Sequence, residues 1–196
     1  MSTTTQSTQE RRAAARVPLR EGTGPLDRIV QWYSRRTYGD VLDNALALLH
    51  HKRVLWSVLR FEQGVARWNR LDPDLKTLAQ LAAASRIGCS WCMDFGWFAA
   101  HSQGLDTRKL GEVPRWRDSD VFTDAERRVL EYAEAVTATP PEVTDDMARE
   151  LRGDLGDDGF VELTMMVAVE NERSRFNTAL GLTSQGFKDR CELAAR

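Results

Sequence analysis

Apolar residues recur every three or four positions along almost the whole chain, and no segment sustains the one-in-two alternation of a half-buried strand. That pattern excludes sheet architectures and predicts an all-α fold, a helical bundle. Leu26 to Thr37 begins behind Pro25, and Val41 to His50 carries Leu42, Ala45, Leu46 and Leu49 as one stripe. Arg53 to Trp68 follows. Asp72 and Pro73 open an Ala- and Leu-rich helix that runs towards Gly88. The next helix spans Cys89 to Gln103, stopped by Gly104, and a short one follows Asp106. Thr123 and Glu126 make a capping box, Pro140-Pro141 closes the helix it opens, and Thr144 caps another. Phe160 to Leu182 is the last long helix.

The 196 residues are enough for one domain with a sizeable core, expected over 17–196. Residues 1–16, rich in Ser, Thr, Gln and Arg and lacking an apolar h-region, read as a disordered tail and not a signal peptide. The formal net charge of −2 argues against nucleic acid as the main ligand, and no apolar run reaches transmembrane length. A soluble, cytoplasmic protein is expected. His50 and His51 are read as ending one helix, where an imidazolium suits the dipole.

Chemistry concentrates at Cys89-Ser-Trp-Cys92, a C-x-x-C pair between two helical stretches. A helix starting at Cys89 aims unpaired amides and the positive end of its dipole at the thiol, which favours the thiolate, and the spacing allows a disulfide to close. Two buried thiols packing as small hydrophobes would be the bland alternative. Zinc would need about four ligands. Beyond the pair the chain offers only Cys191, His50, His51 and His101, with no second C-x-x-C, so no metal and no cofactor are expected. Three cysteines in so long a chain do not make a disulfide framework, and a reducing compartment would keep the pair available.

A second feature lies in the last helix, where the apolar stripe of Phe160, Leu163 and Val167 turns into Glu170, Asn171, Ser174 and Asn177. Helix-to-helix hydrogen bonding or a satisfied interface would account for it. The functional reading is a pocket wall beside the thiols, with Glu170 accepting a proton while Asn171 and Asn177 orient a substrate or water. Trp91, between the cysteines, packs, shields the disulfide or flanks a ligand.

The stretch from roughly Thr37 to Leu182 resembles the carboxymuconolactone decarboxylase and alkylhydroperoxidase D family, on Leu78-Ala79-Gln80-Leu81, Gly88 to Cys92, Phe122 to Arg127 and Asn177 to Gly181. The resemblance implies an alkylhydroperoxidase D-like helical bundle assembled into dimers, trimers or hexamers, with the C-x-x-C helix near a subunit interface. In the family's peroxidase branch the second cysteine attacks peroxide, the first resolves the sulfenate as a disulfide, and an external thiol system reduces it. Cys92 would attack and Cys89 resolve. Members of that branch also carry a histidine four residues beyond the second cysteine and a glutamate twelve before the first, a proton relay; here Gly96 and Thr77 stand there. His101 and Asp94 lie about 180° and 200° from Cys92 around the helix and do not replace it.

Three functions follow: a peroxidase-like thiol oxidoreductase with an antioxidant role and a degenerate relay, a non-redox decarboxylase or lyase working from the polar seam, and a non-catalytic oligomeric ligand-binding protein. The intact C-x-x-C favours the first.

Overall fold

The computed structural model describes residues 7–19 and 21–194. Its elements are helices, with no strand among the described residues. Two compact units divide the chain: Asn69–Ala179 with the segment from Thr183 onward, and the segment ending at Trp68 with Leu180–Leu182.

The smaller unit holds α1 (Thr8–Ala14), α2 (Pro25–Tyr38), α3 (Asp43–Leu48) and α4 (Lys52–Val65). Residues 1–6 of the expected disordered tail lie outside the described residues. Its remainder is ordered by a local signal: Ser7 and Glu10 form a reciprocal capping box, with the Ser7 N–H donating to Glu10 Oε2 at 2.9 Å. Arg11 from α1 is buried and ion-paired with fully buried Asp43, and the Arg16 N–H donates to the Leu180 carbonyl at 2.8 Å. His51 does not end a helix; it begins α4, its Nδ1 accepting the Val54 N–H at 3.3 Å. His50 Nε2 lies 2.8 Å from the Pro18 carbonyl oxygen. Ile29, Trp32 and Tyr33 on α2, and Trp56, Leu59 and Phe61 on α4, stand exposed, an unusual load of large apolar groups.

The larger unit is built on α5 (Pro73–Ile87), which touches α6 (Ser90–Ser102), α8 (Asp124–Thr137) and α9 (Asp145–Ala179). Between α6 and α8 run α7 (Thr107–Glu112) and a 3₁₀ turn, Val113–Asp118; α10 (Phe187–Ala194) packs on α6. Small residues make the central position possible: Ala79, Ala82 and Ala83 are buried among Leu78, Leu81, Leu130, Leu163 and Val167. The expected caps are formed. Asp72 Oδ1 accepts the Asp74 N–H at 2.8 Å with Pro73 in the first turn, and Thr123 and Glu126 exchange both capping-box bonds. The segments expected behind Thr144 and over Phe160 to Leu182 meet at Gly156, whose φ of +73° breaks α9 into two helical pieces. No helix of the described residues is long and apolar enough to cross a membrane.

Candidate active site

Gly88 creates the turn that presents the first thiol. Its φ of +80° ends α5, and the N–H groups of Gly88 and Cys89 both reach the Ala84 carbonyl at 3.0 Å. Cys89 thereby becomes the N-cap of α6, with Sγ accepting the Cys92 N–H at 3.2 Å. The Cys92 thiol and, less strongly, the Cys92 N–H hydrogen-bond to the Cys89 sulfur, and these contacts outweigh burial and lower its pKa to about 6. Cys92 is displaced the other way: sharing a proton with Cys89, burial and the nearby Glu170 charge all favour its protonated form. The two thiols share one proton through this contact and titrate as a pair. Both cysteines are free thiols and both are buried.

The last helix supplies the polar groups. Asn177, 1% exposed, donates from Nδ2 to Cys92 Sγ at 3.3 Å. Ser174, fully buried, donates from Oγ to Glu170 Oε1 at 2.7 Å and is also a hydrogen-bonding neighbour of both thiols. Glu170 is buried, within hydrogen-bonding reach of Cys92, and has Arg173 at 3.6 Å; burial outweighs these partners and raises its pKa to about 7. Residues 170, 174 and 177 lie on one face of α9 at helical spacing. Asn171, about 100° further round the helix, is not brought to the thiols; its Nδ2 donates to Thr137 Oγ1 at 2.8 Å and to the Val167 carbonyl at 3.0 Å.

Trp91 turns towards the C-terminal segment. Its indole N–H donates to Gln185 Oε1 at 2.9 Å, and its ring stacks on Phe95 with centroids 5.0 Å apart. Asp94, which the helical wheel aimed away from Cys92, fixes this segment: its carboxylate accepts the N–H groups of Gln185, Phe187 and Lys188 at 2.8, 3.1 and 2.8 Å. The pairing of residue 94 with residues 185–188 left no local trace in the sequence. Ser174, by contrast, sits on the polar seam itself.

Packing bears on the first of the two relay positions. A Cβ on Gly96 would lie 2.9 Å from Leu81 Cδ2, so α5 and α6 approach each other where a histidine would need room. Thr77 is half-buried on α5. His101 stacks on Trp97, centroids 5.1 Å apart. Among the described residues no group of three or more His, Cys, Asp and Glu side chains is placed to hold a metal ion.

An N-cap thiol hydrogen-bonded to a second thiol, with a buried carboxyl beside it, is a dithiol site on an all-helical scaffold. The chain belongs to the carboxymuconolactone decarboxylase family, whose pattern it matches over residues 52–135. It is 32% identical over 157 residues to the uncharacterized protein YnjA of Escherichia coli, covering 80% of this chain and 86% of that one. The fold is also that of a protein of unknown function from Agrobacterium tumefaciens described as a putative antioxidant defence protein AhpD, with TM-score 0.66 and 24% identity over 70% of this chain and 94% of that one. The debrominase Bmp8, as a cysteine-to-alanine variant in complex with 2,3,4-tribromopyrrole, gives TM-score 0.76 at 16% identity, covering 93% of this chain and 96% of that one.

Proposed function

We propose that this chain is a peroxidase-like thiol–disulfide oxidoreductase in which Cys92 attacks a hydroperoxide and Cys89 resolves the product. The observation that carries the reading is the placement of Cys92 between a thiolate-stabilising N-cap, Cys89, and a buried carboxyl, Glu170, whose pKa of about 7 suits proton exchange near neutrality. In the first step the Cys92 S–H proton passes to Glu170, and the thiolate attacks the terminal peroxide oxygen. An S–O bond forms as the O–O bond breaks, and the departing alkoxide takes the proton back from Glu170. Sulfur is oxidised and peroxide reduced by two electrons. The Cys89 thiolate then attacks the Cys92 sulfur; the S–S bond forms and hydroxide leaves, protonated by solvent. An external dithiol restores the pair, supplying two electrons.

A reducing compartment such as the cytoplasm would keep the pair reduced between turnovers. We further propose a homo-oligomer, supported by the exposed Trp32 and Trp56, 66% and 49% accessible, on helices that leave large apolar groups in water. Light scattering at micromolar concentration should give a mass above 22.2 kDa.

The test of function is peptide mapping with thiol labelling before and after stoichiometric hydrogen peroxide. A Cys89–Cys92 disulfide, formed with consumption of peroxide, is the expected result. Two unmodified thiols after excess peroxide would reject it and leave the decarboxylase and ligand-binding readings.

A further inference from the structure

The amide of Asn177 is half used. Its Nδ2 donates to Cys92 Sγ at 3.3 Å, while Oδ1, on the same carbon, is buried and meets no protein donor. A buried acceptor without a donor costs about 1–3 kcal/mol, so native structures rarely keep one without a reason. The neighbouring groups do not supply the missing hydrogen. The Ser174 hydroxyl is spent on Glu170, and the one proton on Cys92 has two acceptors of its own in Cys89 and Glu170. That leaves the sulfur's lone pairs to Nδ2 and turns the oxygen of the amide to a vacant role beside the reacting atom.

We propose that Asn177 is a specificity-determining residue whose Oδ1 receives the hydroxyl hydrogen of the electrophile that Cys92 attacks. The inference rests on Cys92 being the attacking thiol. In a hydroperoxide, H–O–O–R, the attacked oxygen carries a hydrogen, and that hydrogen stays with it when the S–O bond forms and the O–O bond breaks. The leaving alkoxide takes its proton from Glu170. The product, Cys92–S–O–H, keeps its hydroxyl on Oδ1, so the acceptor is satisfied from encounter through to the sulfenic acid. A disulfide, a thiosulfonate or an organic halide offers no hydrogen on the attacked atom and leaves Oδ1 buried and unpaired. A site built to bond a hydroxyl discriminates strongly against analogues that lack it, for this reason. The amide is thereby the device that sorts oxygen electrophiles from sulfur and halogen electrophiles at one thiol.

The experiment compares two probes on the intact chain: hydrogen peroxide, and methyl methanethiosulfonate as a small electrophile without the hydroxyl. Timed quenching and peptide mapping give the rate of Cys92 loss with each, in the parent and in Asn177→Leu, which keeps the volume and removes both polar atoms. Loss of the Nδ2 donor to Cys92 slows both reactions, so the expected result is a peroxide rate that falls at least tenfold further than the thiosulfonate rate. Equal slowing of both, or of neither, overturns the proposal while leaving the disulfide chemistry standing. A parent in which Cys92 is not oxidised by peroxide overturns the proposal together with the functional reading. If Asn177→Leu does not fold, Asn177→Ala is read by the same ratio of the two rates.

Discussion

The two helix contacts that flank the thiols are built on opposite principles. Where α5 meets α6, alanines and Gly96 let the helices pack closely, and a Cβ at residue 96 would press on the end of the Leu81 side chain. Where α9 meets α6, the apolar stripe gives way to Glu170, Ser174 and Asn177, all buried, with Asn177 donating to Cys92 and Ser174 to Glu170. The first contact is dry and tight; the second carries polar groups into the interior, where each must be satisfied or used. On the proposed function α9 is the helix that handles protons, whereas the α5–α6 seam serves packing.

The cysteines themselves set the scale of the largest effect. Cys92→Ser and Cys89→Ser should each abolish the intramolecular disulfide, and Cys92→Ser should lower peroxide consumption by about 10²-fold or more. A stopped-flow peroxide assay checks this, and turnover that survives in Cys92→Ser would place the chemistry elsewhere.

Glu170→Gln probes the α9 side through stability. Because burial raises the Glu170 pKa from 4.5 to about 7, the folded protein between those pH values holds a proton that the unfolded chain releases. Stability from this group therefore falls as pH rises through that window, by about 3 kcal/mol in full at 1.36 kcal/mol per unit. Gln cannot ionise and keeps an oxygen for the Ser174 hydroxyl. Urea melts should show the variant gaining on the parent from pH 5 to pH 8; a constant difference would mean that Glu170 ionises as it does in water.

Gly96→His probes the other side. Forcing a side chain against Leu81 should destabilise by about 1–3 kcal/mol in a thermal or urea melt, and alone should raise peroxide turnover little. Restoring Thr77→Glu with it should raise turnover further if a relay can be rebuilt there. A folded double variant no faster than the parent would confine the proton chemistry to α9.

The C-terminal clamp should give the smallest effect. Gln185→Ala removes one bond to the Trp91 indole and should cost about 1 kcal/mol, with peroxide rates changed less than the other variants change them.

The sequence carried this contrast unevenly. Helix ends were legible wherever the signal is local: Asp72 with Pro73, Gly88, and the Thr123–Glu126 box all act within one turn. Ser7 and Glu10 carry the same kind of box, but the polar composition around them read as a tail, because the Arg11–Asp43 pair that anchors α1 spans 32 residues. The polar seam was legible because helical spacing places 170, 174 and 177 together on one face; Asn171, one residue on, was grouped with them and turns instead to Thr137. Nothing local marked Asp94 as the anchor for residues 185–188 or Gln185 as the partner of Trp91, since both pairings cross about 90 residues and have no period to betray them. The electrostatics of the pair were legible only in part: the N-cap geometry of Cys89 follows from Gly88, whereas the upward displacement of Cys92 needs the Cys89 contact, the burial and the Glu170 charge that tertiary packing creates.

The central claim, that α9 handles the proton for the thiol pair, is tested most directly by the pH dependence of Cys92 oxidation by hydrogen peroxide in the parent and in Glu170→Gln. Glu170 must be ionised to accept the Cys92 proton, so the parent rate should rise with pH through an inflection near 7. In Glu170→Gln that inflection should vanish and the rate above it should fall by about 10²-fold. Superimposable profiles for the two proteins would contradict the account.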